Sequence, residues 1–212
     1  IPKNGSLNVH PSLLPLYRGA APMQAALLNG DEKTGVTIML VDKEMDHGPL
    51  LAQTEFPIEA STCPELRNAL AEIGGTLLAQ TIPLWIAGTI RAAPQDDARA
   101  TYSERLTKEA GRIDWSKPAL YIERQIRALQ PWPGTFTKFK IQNSKFKTLK
   151  ILKAGVLEGV QGEPGKTFLS RTKELGVQTA RDAIVIETLQ PEGGKAMSSK
   201  EFLLGHKEIL IC

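Results

Sequence analysis

The stretch Leu7-Asn-Val-His-Pro-Ser-Leu-Leu-Pro-Leu-Tyr-Arg-Gly19 decides how the rest of the chain is read. Leu7–His10 has the form of a strand end. Side chains alternate along a strand, so Asn8 and His10 leave the same face, roughly 7 Å apart. Pro11 has no backbone N–H to give to a ladder and stops the strand. Ser12-Leu13-Leu14-Pro15 then turns, and Arg18-Gly19 leads into a helix with Pro22 near its first turn. A polar pair at a strand end, followed by a loop and a helix, is where open α/β sheets place ligands.

Outward from this stretch, Ala20–Leu28 is a helix stopped by Asn29-Gly30. Gly35–Val41 is a strand rich in β-branched residues, and a charged loop, Asp42–Gly48, follows it. Leu50–Ile58 is a second strand, antiparallel to the first. Ser61 or Thr62 can cap a helix that should run to about Leu84 or Ala87, with Glu65 at capping-box spacing from Thr62. Gly74-Gly75 weakens that helix, and Pro83 is expected to kink or end it.

Thr89–Leu106 is small and polar and has the character of a linker. The expected division is 1–92 for the C-terminal part of an α/β domain, 93–110 for the linker and 111–212 for a second domain. Lys117–Leu129 is an amphipathic helix, with Leu120, Ile122, Ile126 and Leu129 expected broadly on one side, and Pro131-Trp-Pro-Gly134 stops it. Short strands then follow at Thr135–Ile141, Thr148–Leu157, Thr167–Ser170, Gly176–Thr179 and Ala183–Leu189, with turns such as Asn143-Ser144 between them. That spacing predicts a small barrel, closed by a short helix over Ser198–Gly205.

A chain of 212 residues holds one large or two small domains. Its apolar and charged fractions, 42% and 23%, are those of a globular protein. No run of eighteen apolar residues occurs, so no membrane partner is expected. Cys63 and Cys212 have no partner pattern, which fits a reducing compartment and offers no metal site. The chain begins without Met and almost inside a strand. The expectation is that the first part of the α/β domain lies outside this sequence, and that the chain alone is poorly active.

Charge is uneven. Residues 1–100 carry seven Lys and Arg against eleven Asp and Glu; residues 101–212 carry nineteen against twelve. The sign change predicts a small ligand for the first half and a polyanion for the second. Lys138, Lys140, Lys145, Lys147, Lys150 and Lys153 crowd two adjacent strands and are the candidate nucleic-acid contacts. The same lysines would also suit an edge strand kept soluble. Trp115 and Trp132 are expected as core or domain-interface anchors.

Asn8-x-His10-Pro-Ser-Leu-Leu-Pro15, with Arg18-Gly19 and then Asp46-His47-Gly48, resembles the 10-formyltetrahydrofolate-dependent formyltransferases. The resemblance implies transfer of a formyl group to an amine that is itself the nucleophile. The site then needs an oxyanion donor and a proton carrier. Asn8 is implied as the donor, His10 as an imidazolium that moves protons, and Asp46 as the carboxylate that holds it. Gly48 is expected to permit the turn that aims Asp46 inward. Asp42 and Glu44 are then solvated loop charges. His47 stands where many relatives have Thr or Ala; it either touches the pterin or faces water, and water is the preferred reading. Ser12, Leu13, Leu14 and Pro15 resemble a folate-contacting loop, whose backbone and leucines suit a flat apolar ring.

The second half extends the likeness. Ala100-Thr-Tyr-Ser-Glu-Arg-Leu-Thr-Lys-Glu109, Ile113-Asp-Trp115 and Ile126-Arg-Ala-Leu-Gln-Pro-Trp-Pro133 are similar to the methionyl-tRNA formyltransferase branch. This implies a partial doubly wound (Rossmann-like) domain followed by a small OB-like β-barrel. It also implies 10-formyltetrahydrofolate as donor, initiator methionyl-tRNA as partner, no metal, a monomeric complete enzyme, and a cytoplasmic or organellar-matrix location. Two alternatives remain at this point: a formyltransferase for sugar nucleotides or other amines, and a nucleic-acid-binding fragment without catalysis.

Overall fold

The computed structural model describes residues 2–140 and 146–211, with the side chains of residues 140, 146, 208 and 211 left aside. Lys145 and the Asn143-Ser144 turn lie outside the described residues. Two units divide the chain, Ile1–Leu106 and Thr107–Cys212.

In the first unit, β1 (Leu7–His10), β3 (Lys33–Leu40) and β4 (Leu50–Pro57) form one sheet in the order β1-β3-β4. Between β1 and β3 lie the two-residue β2 (Arg18–Gly19) and α1 (Pro22–Asn29). Both pairings of the sheet are antiparallel, with His10 opposite Thr37 and Thr37 opposite Gln53. Among the described residues this unit is a mixed α/β arrangement with a three-stranded antiparallel sheet, and the doubly wound winding expected for the domain is not seen in it. The chain returns from α1 beside β1 in the opposite sense, so β3 runs antiparallel to β1.

Helix α1 ends where Asn29-Gly30 predicts. Gly30 takes φ 72°, and its N–H donates to the Ala26 and Leu27 carbonyls. Helix α2 (Cys63–Ile86) opens on a Thr62/Glu65 capping box and continues through Pro83. A proline so near the end removes one ladder bond without stopping the helix. By length and composition α2 could cross a membrane; here Leu66 and Leu70 are buried and the helix packs on the sheet. Gly74 makes that approach possible, since a β-carbon there would press on Val9 and Val36. Alternation then gives the sheet two jobs. Val36 and Ile38 serve the helix side, while Thr37 and Met39 share the face of His10 and Asn8.

Residues expected as linker belong to this unit. Ala93 bridges to Leu50, and β5 (Tyr102–Ser103) pairs in parallel with β2. The boundary follows Leu106, inside the expected 93–110 linker.

The second unit packs α3 (Ala119–Ala128) on a curled antiparallel sheet. Its strands are β6 (Thr135–Lys140), β7 (Phe146–Leu157), β8 (Thr167–Leu169), β9 (Leu175–Gln178) and β10 (Ala183–Pro191), in the order β6-β7-β10-β9-β8. A short β11 (Met197–Ser198) pairs with β10 and leads into α4 (Ser199–Gly205). Among the described residues no ladder joins β6 to β8, so the expected barrel is an open sheet here. Ile122 and Ile126 of α3 are buried in one cluster with Leu149, Ile151, Ile184 and Phe202, and Leu129 at the helix end is buried too. Burying each such side chain contributes about 1.5–3 kcal/mol. Leu120 is exposed, contrary to expectation. It is two residues from Ile122, about 200° around a helix of 3.6 residues per turn.

Candidate active site

The loop after β1 is fastened to β3 by one hydroxyl. Thr37 is fully buried; its Oγ1 donates to the Ser12 carbonyl at 2.6 Å and accepts from the Leu14 N–H at 3.1 Å. Gln53 Nε2 donates both to that hydroxyl, at 2.9 Å, and to the Leu14 carbonyl, at 2.7 Å. Ser12 Oγ donates to the Leu16 carbonyl at 2.6 Å. Ser12 and Leu14 are buried, so their side chains build the loop. Leu13, seated against Gly35, and Pro15 are half-buried and give the loop its accessible apolar surface.

The loop ends on Tyr17, at φ 60°, with its phenol donating to Asp31 at 2.6 Å and accepting from Asn29 at 3.0 Å. Burial and the Asp31 carboxylate push that phenol above its ordinary pKa. Thus held, the Tyr17 carbonyl accepts from His10 Nε2 at 3.1 Å. A carbonyl only accepts, so Nε2 carries the proton and Nδ1 presents its lone pair. Asp46 Oδ1 lies 3.6 Å from Nδ1, an electrostatic neighbour beyond hydrogen-bond length. His10 is buried, and desolvation lowers its pKa below 6.5 against the opposing pull of Asp46. Against the expected imidazolium, which Asp46 favours, burial thus favours the neutral imidazole. Its Nδ1 can take a proton, and the resulting cation would face a carboxylate. Asn8, half-buried on the same strand face, makes no side-chain hydrogen bond among the described residues, so its amide is available to a ligand.

Asp46 takes the strained position of its turn, φ 51°. Gly48 is required for a different reason than expected: a β-carbon there would collide with the Leu40 carbonyl oxygen. Asp46 Oδ2 accepts from the Gly19 N–H at 2.8 Å. Behind it sits Arg18, almost wholly buried, whose Nε and Nη2 donate to Gln95 Oε1 at 3.1 and 2.8 Å and whose Nη2 donates to Asp97 at 2.7 Å. His47 pairs with Asp42 at 2.7 Å and approaches Asp97 at 3.5 Å. Asp42 is thus the partner of His47 rather than a free loop charge. Its hydrogen bond raises the His47 pKa, and the Asp42 pKa is lowered in turn. Gln95 and Asp97 were missed because they lie in the presumed linker. The available signal was Arg18 itself, since a buried guanidinium demands acceptors.

The basic residues of the second unit separate by face. Register places Lys138 opposite Thr148 and Phe136 opposite Lys150, so Lys138 and Lys150 share the outer face. With Lys108, Trp132, Phe136 and Glu192 they line a groove of about 720 Å³. Trp132 is 57% exposed there, against the expected anchor role; Trp115 packs on Phe139 and donates to Thr137. Lys147 lies opposite buried Phe139, 3.0 Å from His206 and 5.9 Å above the Phe202 ring. It belongs to the other face, because residue 147 is of the opposite parity to 148 and 150. Lys153 is paired with Glu187 at 2.7 Å. Lys140 lies at the end of β6.

Comparison with known proteins agrees with both halves. Residues 1–82 match the formyl transferase family model, and residues 105–207 match the formyl transferase C-terminal domain. A methionyl-tRNA formyltransferase of Roseiflexus castenholzii is 43% identical over 97% of this chain, which covers 64% of that protein. One from Marinobacter nauticus is 39% identical over all of the chain, covering 67% of the relative. The chain thus spans about two thirds of the length of the curated relatives it matches. In fold it is similar to Aquifex aeolicus HypX, solved with tetrahydrofolic acid (TM-score 0.68, 22% identity, 93% of this chain and 34% of that one). It is also similar to a Helicobacter canadensis N-formyltransferase, solved with folinic acid and dTDP-3-aminofucose (TM-score 0.67, 23% identity, 85% and 64%). With both domain models matched and these identities sustained along its length, the chain belongs to the formyltransferase family, beside the methionyl-tRNA formyltransferases.

Proposed function

We propose that this chain carries the reaction centre of a methionyl-tRNA formyltransferase, which moves a formyl group from 10-formyltetrahydrofolate to the amino group of methionyl-tRNA. The observation that carries the reading is the buried His10 with Nδ1 3.6 Å from Asp46, on the strand face that also bears the open amide of Asn8. In acyl transfer between amines the attacking amine loses a proton and the leaving nitrogen gains one. His10 Nδ1 accepts that proton and Asp46 stabilises the cation while it exists. The Asn8 amide donates to the oxygen on which charge develops. Leu13 and Pro15 offer apolar surface, and the surrounding backbone offers polar edges, to a flat heterocycle. The match to curated methionyl-tRNA formyltransferases near 40% identity, and the outer-face Lys138 and Lys150, support tRNA as the amine carrier.

The test is formylation of methionyl-tRNA with 10-formyltetrahydrofolate, beside an amino sugar nucleotide as competing acceptor. Formyl transfer to methionyl-tRNA that is lost in His10→Ala and Asp46→Asn supports the reading. Preference for the sugar nucleotide moves the chain to the other branch of the family. Binding of tRNA with no folate binding overturns the catalytic assignment.

A further inference from the structure

Gln95 occupies a position that its neighbours define completely. Its Oε1 accepts from both Nε and Nη2 of Arg18, and its Nε2 donates to the Asp46 carbonyl at 2.9 Å and the Gly48 carbonyl at 2.8 Å. Arg18 has only donors and the two carbonyls only accept, so the amide orientation is forced. The residue between those carbonyls is His47, so one carboxamide grips both ends of the turn that carries Asp46. Asp46 holds a left-handed backbone, a conformation that persists only where its surroundings impose it. Arg18 is in turn fixed by Asp97 and by the pairing of β2 with β5. The next residue, Gly19, donates to Asp46 Oδ2. Arg18-Gly19 therefore reaches Asp46 twice: through Gln95 to its backbone and through Gly19 to its carboxylate.

We propose that Gln95 is a positioning residue of the reaction centre, holding the Asp46 turn so that the carboxylate stays on the Gly19 N–H with its second oxygen beside His10 Nδ1. The proposal rests on the reading of His10 and Asp46 as the proton-handling pair. Gln95 touches no reacting atom; it acts through Asp46. A carboxylate only 3.6 Å from Nδ1 loses much of its effect if the turn relaxes, and misplacement of ~1 Å can cost about a hundredfold in rate.

The test compares Gln95→Ala, Gln95→Glu and Asp46→Asn, alone and with each Gln95 variant combined with Asp46→Asn, in this protein. Gln95→Glu keeps an acceptor for Arg18 and removes the donor to the two carbonyls, so it reports the grip even where Gln95→Ala fails to fold. Two quantities are read: kcat and KM for the formyl donor, and the titration of His10 by NMR. The titratable or charged groups around the pair are Asp46 and His47 on the turn, Asp42 beside it, Tyr17 on the loop, and Arg18 with Asp97 behind. Both Gln95 variants should lower kcat by roughly ten- to a hundredfold, with KM for the donor changed by less than about threefold. Each should move the His10 titration in the same direction as Asp46→Asn. In the Asp46→Asn background neither should add an effect, because residues that act through one another are not additive. Undiminished effects in that background would show a general structural role and overturn the proposal. So would a folded Gln95→Glu protein with wild-type kcat and an unmoved His10 titration. If Asp46→Asn leaves kcat intact, or if no formyl transfer is seen at all, the functional reading fails, while the His10 titrations still decide whether Gln95 positions Asp46.

Discussion

Replacing Thr37 by Val should unfasten the substrate loop while leaving its shape almost unchanged. The two side chains are nearly isosteric, and Val suits a strand, so packing loss is small. What disappears is the hydroxyl that donates to the Ser12 carbonyl and accepts from the Leu14 N–H and Gln53 Nε2. Thr37 is fully buried and Leu14 nearly so, and water cannot simply replace the hydroxyl. Gln53 keeps its second acceptor, the Leu14 carbonyl, and is least affected. Two backbone groups are therefore abandoned, each at about 1–3 kcal/mol. Allowing up to ~1 kcal/mol of compensation from strand preference, the net loss is about 1–6 kcal/mol. Urea denaturation measures it as a lowered midpoint at constant slope. Thr37→Ser retains the hydroxyl and should cost only about 1 kcal/mol for the missing methyl. If Val costs less than about 0.5 kcal/mol, or no more than Ser, the loop is held by something other than this hydroxyl.

His10→Ala should lower formyl transfer by ~10²–10⁴-fold, and Asn8→Ala by ~10²–10³-fold, with tRNA affinity unchanged in filter binding; near-normal turnover would remove either residue from the chemistry. The kcat/KM profile should rise with pH along a limb below 6.5, because burial lowers the His10 pKa, and Asp46→Asn should move that limb lower still by removing the charge that opposes burial. The same shift has a stability sign. The unfolded state binds the proton more readily, so this contribution is present above about pH 6.5 and is lost as pH falls through the folded-state pKa; a folding stability that rises on acidification over this window would contradict it. Lys138→Gln and Lys150→Gln should each flatten the salt dependence of tRNA binding by roughly 0.7–0.9 in log–log slope, whereas Lys147→Gln, turned toward Phe202 and His206, should leave the slope unchanged.

What the sequence shows and hides follows from the range of the forces involved. The capping box at Thr62, the Asn29-Gly30 stop and the antiparallel pair around the Asp42–Gly48 loop are local, and they were legible. The common face of Asn8 and His10 was legible for the same reason, since two-residue spacing on a strand fixes it. Non-local placement was not. Alternation alone cannot say which parity of β7 faces inward until β6 is laid beside it, and that one choice sends Lys150 outward and Lys147 toward Phe202. Nor can composition reveal a stretch whose work is done by backbone and amide groups.

Residues 93–103 show what that omission means. They are small, polar and poor in apolar side chains, which is the composition of a connector. Yet Ala93 bridges to Leu50 beyond Gly48, Gln95 grips the Asp46 turn, Asp97 pairs with Arg18, and Ser103 pairs with Gly19. The contacts of Gln95, Asp97 and Ser103 end on Asp46, Gly48, Arg18 and Gly19, the residues that carry or hold the Asp46 turn, and the Ala93 bridge lies two residues beyond Gly48. The physical cause is that the turn carrying Asp46 contributes little apolar surface of its own, with Asp42, Lys43, Glu44 and Met45 all exposed. A left-handed aspartate in such a turn is held by directional hydrogen bonds or it is not held. Those bonds must come from a neighbouring segment able to lie extended alongside, with amide and carboxylate side chains at the right steps. The segment that looks most like a connector is therefore the one whose polar side chains set the geometry of the site.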